Sequence, residues 1–140
     1  VKIAVDEKNK KIYASERFYL NNLKIKELKD QIRNNARSND LIIADCEDPR
    51  MISEIKDSGF NIKPVKKYDG SVIEGIRLVQ DYDIITDKES INLVKELRNH
   101  TWNDKKAGIP NKGFNHLLSG IRYYVQSTTA RKTSHQAWHG

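Results

Sequence analysis

The carboxylate with the clearest chemical opportunity is Asp45, which ends the short apolar run Asp40-Leu-Ile-Ile-Ala-Asp45. Runs of this kind suit strands buried on both faces. The carboxyl ends of such strands are where open α/β sheets collect their ligand sites. A carboxylate placed there can hold a hard divalent cation, because Mg²⁺ and Mn²⁺ prefer oxygen ligands. The same residue can instead cap the helix that Pro49 opens. Glu47 and Asp48 suit the first turn of that helix, where the backbone dipole favours anions. Cys46 also has two readings, a thiolate nucleophile or a small packed residue at a strand end. As the single cysteine of the chain it forms no internal disulfide, which fits a reducing compartment.

His116 and Ser119 stand three positions apart, so on a helix they are neighbours on one face. That face borders the apolar stripe, from which a histidine can reach a site or hydrogen-bond within the domain. Lys66, Lys67, Lys105, Lys106, Lys112 and Arg122 place positive charge in loops and around the last helical segment. They are candidates for contacts to phosphate, and equally for ordinary solvated surface. The chain has no P-loop, no GxGxxG, no paired CxxC and no GxSxG. ATP hydrolysis and serine-hydrolase chemistry therefore have no support in these residues.

The elements that must position these groups follow from hydrophobic periodicity. Val1–Val5 alternates as a half-buried strand, Asp6–Lys10 is a polar turn, and Lys11–Leu20 resumes the alternation, which predicts a hairpin. Asn22–Arg37 places Ile25, Leu28, Ile32 and Ala36 on one helical stripe, with Asn21 or Asn22 as its cap. The strand over 40–45 comes next. Pro49 then opens a helix with Met51, Ile52 and Ile55 inward, and Gly59 closes it. A strand over Asn61–Lys66, a helix from Gly70-Ser71 through Val79, a strand over Tyr82–Thr86 and a helix over Ser90–Asn99 follow. Phe114–Val125 is a further helix, striped by Phe114, Leu117, Leu118, Ile121 and Val125. Residues 126–140 read as a polar, mobile tail. A hairpin followed by alternating helices and strands implies an α/β domain, a mixed sheet with helices on both faces.

With 140 residues the chain suits a single such domain over 1–125 plus its tail. Hydrophobic residues make up 37% and charged residues 31%, enough for a modest core under a charged surface. No run of about 18 apolar residues occurs, which argues against a membrane span. The formal net charge of +6 favours polyanionic partners without naming one. Val1-Lys-Ile-Ala-Val5 is too short and too soon polar for a signal peptide. Because it opens without methionine and directly in strand-like sequence, the expectation is a piece of a longer protein.

Taken in order, these segments resemble the C-terminal nuclease domain of phage terminase large subunits. Leu41-Ile-Ile-Ala-Asp-Cys-Glu-Asp-Pro-Arg-Met-Ile52 is similar to that family's strand ending in Ala-Asp, an acidic-Pro pair and a helix. Gly59-Phe-Asn-Ile-Lys-Pro-Val-Lys-Lys67 resembles the next strand with its lysines, and Gly70-Ser-Val-Ile-Glu-Gly-Ile76 the helix after it. Asn92-Leu-Val-Lys-Glu-Leu-Arg98, with Trp102, resembles an Asn-Leu-Ile-x-Glu segment before an aromatic. Phe114-Asn-His-Leu-Leu-Ser-Gly-Ile-Arg-Tyr123 resembles the closing Asn-His-Ala-x-Asp-Ala-x-Arg-Tyr helix. Any one of these is weak, whereas five in order are specific.

The resemblance implies an RNase H-like sheet and a metal-dependent endonuclease that cuts concatemeric viral DNA at packaging, with Mg²⁺ or Mn²⁺ held by acidic residues. Asp45 matches the family's metal-binding aspartate on its fourth strand, and His116 a histidine at the active site. Two departures follow. The family's first catalytic aspartate lies on a central strand before the hairpin, where this sequence has not yet begun, and Asp6 falls in the turn. Ser119 stands where the family has an acid, and an upstream family aspartate aligns near Lys112. The expectation is a catalytic set too incomplete for full activity, since two cations with one carboxylate would repel each other. A missing central strand would leave unpaired sheet edges, which a strand-exchanged homodimer would fill. The implied partners are double-stranded DNA, the portal and the small terminase subunit, in the cytoplasm of a bacterial host. The competing readings are a non-catalytic module that docks DNA or packaging proteins, and a basic domain unrelated to DNA.

Overall fold

The computed structural model describes residues 1–20, 23–45, 48–99 and 116–139, with side chains of the last helix described to Thr128. β1 (Lys2–Asp6) and β2 (Lys11–Ser15) form an antiparallel hairpin in the register Ile3↔Ala14 and Val5↔Ile12. Asp6 sets the turn by accepting hydrogen bonds from the Asn9 N–H and Nδ2, and Lys10 takes a positive φ of 54° to close it. β2 is shorter than its alternation suggested, because after Ser15 the chain leaves the sheet toward other partners. α1 (Ile25–Asn35) buries Ile32 and lays Leu28 on the core, joined there by its C-cap Ala36. The helix begins later than expected, with Lys24 as its N-cap and the Lys24 N–H donating to Glu27, so the cap is neither Asn21 nor Asn22, which lie outside the described residues.

β3 (Leu41–Ala44) leads to α2 (Pro49–Asp57), and β4 (Asn61–Pro64) then pairs parallel to β3 with Ile42 opposite Ile62. Gly59, at φ 98°, supplies the left-handed residue that ends α2. α3 (Ser71–Gln80) precedes β5 (Asp83–Thr86), which pairs parallel to β2 with Ile12 opposite Ile84. α4 (Ile91–Asn99) and α5 (His116–His139) complete the chain. The polar tail expected over 126–140 instead continues α5 to His139, so the last helix runs well beyond its apolar stripe.

Among the described residues the strands form two pieces, β1-β2-β5, which is mixed as expected, and the parallel pair β3-β4. Each has its own apolar cluster. Ile12 and Ala14 of the larger piece meet Leu93 of α4 and Leu117, Ile121 and Val125 of α5, with Leu78 and Val79 of α3 against them. Ile62 of the smaller piece meets Ile32 of α1 and Ile55 of α2, with Ile42, Met51, Ile52 and Phe60 around them. α5 packs on α3 and α4 and touches both β1 and β3, so one helix spans the two pieces. Removing apolar area of this kind from water contributes roughly 25 cal/mol per Å².

The α3–α5 crossing is close because of one residue. A Cβ at Gly75 would collide with Arg122 Cγ and with Gln126 Oε1. Gln126 Nε2 also donates to the Ser71 carbonyl at 2.9 Å, which ties the second half of α5 to the start of α3.

Candidate functional site

β3 and β4 run side by side in the same direction, so their carboxyl ends emerge together. The Val65 N–H donates to the Ala44 carbonyl at 3.0 Å, which carries the pairing one step past the strands. Asp45 and Lys67 therefore leave the sheet as neighbours, and Lys67 Nζ stands 2.7 Å from Asp45 Oδ1. Both side chains are about half exposed, at 54% for Lys67 and 47% for Asp45. Solvent screens such a pair, whose contribution to stability is about 0–1 kcal/mol.

Asp45 does not cap α2. That role falls to Asp48, whose Oδ1 accepts the Arg50 N–H at 2.9 Å, with Pro49 as the first helical residue. The Asp45 carboxylate is thus left to the mouth of the sheet, with a lysine as its recorded partner.

His116 is exposed and opens α5. Since α5 touches β3, Asp45 and His116 lie on contacting elements, yet no hydrogen bond or ion pair joins them among the described residues. Ser119 is half-buried in the following turn. Lys66 is exposed beside Lys67, whereas Lys105, Lys106 and Lys112 lie outside the described residues, as does Cys46.

Arg122 is a correction to the sequence reading. It is only 8% exposed, its stem lies across Gly75, its guanidinium sits 5.0 Å from the Tyr123 ring centroid, and among the described residues its Nε has no hydrogen-bond partner. A side chain used in this way braces two helices.

Two carboxylates that matter to this region escape sequence reasoning. Glu16, just past β2, accepts the N–H groups of Asn92 and Leu93 at 2.9 and 3.2 Å and the Asn92 amide at 2.6 Å. Glu96, buried at 4% exposure, accepts the N–H groups of Leu117 and Leu118. The readable signal for Glu96 was a carboxylate set between Leu93 and Leu97 on the inward stripe of α4, where only a partnered charge is tolerated.

The chemistry of the donor set tests the expected metal. Among the described residues no three His, Cys, Asp or Glu side chains converge on a point that could hold an ion. A single exposed carboxylate already paired with an ammonium does not hold two divalent cations, so the described residues do not by themselves fit the two-metal centre.

A hairpin, parallel strands and flanking helices, with an aspartate at the mouth of the second sheet piece, define an α/β domain of the RNase H-like class. The chain belongs to the terminase RNase H-like domain family, whose model matches residues 1–127. Among curated proteins it is 25% identical over 144 aligned positions to the PBSX phage terminase large subunit of Bacillus subtilis strain 168, covering 97% of this chain and 33% of that protein. It is 29% identical over 126 positions to the terminase large subunit of Bacillus phage SPP1, covering 84% of this chain and 30% of that one. The chain thus spans about a third of the length of these relatives. Among solved structures it matches the nuclease domain of the SPP1 large terminase, crystallised with bound Mn, at a TM-score of 0.71 and 28% identity, over 86% of this chain and 73% of that one.

Proposed function

We propose that this domain is the DNA-cutting part of a phage packaging terminase, a divalent-metal endodeoxyribonuclease that severs concatemeric viral DNA. The observation that carries the reading is the half-exposed Asp45 carboxylate at the carboxyl end of β3, in a fold whose SPP1 relative was crystallised with Mn. Asp45 and His116 are the residues assigned to the metal, Mg²⁺ or Mn²⁺, with ligands beyond the described residues needed to complete the set. Lys66 and Lys67 are exposed at the same sheet mouth and suit the DNA backbone. Lys105, Lys106 and Lys112 are assigned to DNA from sequence alone. Double-stranded DNA, the portal and the small terminase subunit are the partners in this reading, and the cytoplasm of the bacterial host is the place. A strand-exchanged homodimer is proposed for the open sheet edges.

Plasmid nicking in Mn²⁺ tests the assignment against an Asp45→Ala variant. The reading expects nicking by the parent protein, weak if the ligand set is incomplete, and none by the variant. Equal cleavage by both proteins removes Asp45 from the site.

A second reading has its own support. The ammonium on Asp45 and the lack of a three-ligand cluster among the described residues favour a module that keeps the fold and binds DNA or packaging proteins without cutting. Duplex binding with no nicking by either protein selects this second reading.

A further inference from the structure

Glu96 is buried at 4% exposure on the inward face of α4. Its Oε1 accepts the Leu117 N–H at 2.9 Å and the Leu118 N–H at 3.1 Å, and its Oε2 accepts the Leu117 N–H at 3.1 Å. The first N–H groups of a helix have no partner within it and carry partial positive charge, so a carboxylate is favoured there twice over. Residues 96 and 117 are 21 positions apart, so this bond fixes where α5 starts relative to α4.

α4 is itself fixed in the same manner one step earlier. Glu16 takes the N–H groups of Asn92 and Leu93, while the Ser90 hydroxyl accepts the Glu16 N–H at 2.9 Å. Ser90 is fully buried, and its N–H and hydroxyl both donate to Asp87 Oδ1. Two carboxylates therefore link sheet to helix and helix to helix, from β2 through α4 to the opening of α5. The residue that stands at this opening, immediately before Leu117, is His116.

We propose that Glu96 is a positioning residue for His116, holding the first turn of α5 so that the imidazole leaves the helix at a fixed point. The inference rests on the reading of His116 as a site residue. Without Glu96 the first turn has lost its anchor, and His116 samples many placements while the rest of α5 stays bound through Ile121 and Val125.

The test uses histidine ring NMR on the full chain, with the His116 signal identified by its loss in His116→Gln. Glu96→Ala removes both acceptors, and the near-isosteric Glu96→Gln keeps one acceptor oxygen without the charge. In metal-free protein the His116 signal is expected to shift and broaden in Glu96→Ala, less so in Glu96→Gln, while the methyl signals of Ile12 and Ile62 stay in place. Loss of such a cap lowers the equilibrium constant for the formed turn about 5- to 30-fold. A His116 signal unchanged in position and width in either folded variant overturns the proposal, and so does loss of the Ile12 and Ile62 signals in Glu96→Gln. Adding Mn²⁺ to the parent protein separates this from the site reading. Absence of paramagnetic broadening at His116 removes the histidine from the metal site, whereas the metal-free comparison tests Glu96 alone.

Discussion

At the scale of single residues, the structure uses carboxylates in three ways that look identical in sequence. Asp48 caps a helix, Asp45 stands at a sheet mouth with Lys67, and Asp87 gathers hydroxyls. Asp87 accepts from the Ser90 N–H and hydroxyl and from the Ser15 hydroxyl at 2.8 Å, and these bonds, Ser90 first, hold its carboxyl below the usual aspartate value. A folded-state value lowered in this way contributes stability that is present above the unfolded value of about 3.9 and lost as pH falls through the folded one. Melting temperature measured downward from pH 5 should therefore fall more steeply for the parent protein than for Asp87→Asn, and parallel curves would contradict this use of Asp87. Lys67→Ala should change stability by less than about 1 kcal/mol, as expected for an exposed pair, and urea titration checks it. The apolar-run argument was enough to bring Asp45 to a strand end. It could not choose between cap and site, because that choice depends on which of three nearby acids reaches the Arg50 N–H.

At the scale of elements, helix and strand order was legible, since each apolar stripe or alternation is a local property. What stayed hidden was contact between elements distant in sequence. Arg122 reads as a surface cation until Gly75 is seen beneath its stem, and residues 126–139 read as a tail because their helix has no apolar stripe to reveal it. The Gly75–Arg122 crossing is open to a double-mutant cycle. Gly75→Ala gains about 1 kcal/mol of helix propensity against an overpacking cost of about 1–3 kcal/mol, so net destabilisation is expected by calorimetry. In an Arg122→Ala, Gln126→Ala background both side chains that meet the new methyl are gone, and the same substitution should become neutral or stabilising. Additive effects would mean that the two helices do not meet as described.

At the scale of the whole molecule, sequence order supported the RNase H-like class, but strand pairing is non-local, and division of the strands into β1-β2-β5 and β3-β4 could not be read from periodicity. The net charge of +6 makes a further expectation for the proposed DNA partner. The logarithm of affinity for duplex should fall linearly with the logarithm of salt concentration, with a slope near −0.9 per phosphate neutralised. Lys66→Gln with Lys67→Gln should flatten that slope by about two contacts, and an unchanged slope would move the DNA elsewhere on the surface. Light scattering at several protein concentrations addresses the strand-exchanged dimer, which a monomeric molar mass dismisses.

The helix that spans both sheet pieces has a consequence for how the molecule comes apart. Among the described residues the cluster around Ile55 and Ile62 contains no residue of α5, whereas the cluster around Ile12 is built largely on it. Thermal opening of the first need not disturb the second, so the domain should breathe as two regions of unequal lifetime rather than as one block. Amide hydrogens of Ile42 and Ile62 would then exchange with deuterium through a sub-global event, ahead of those of Ile12 and Ile121, and Asp45 would leave its place each time that smaller region opened.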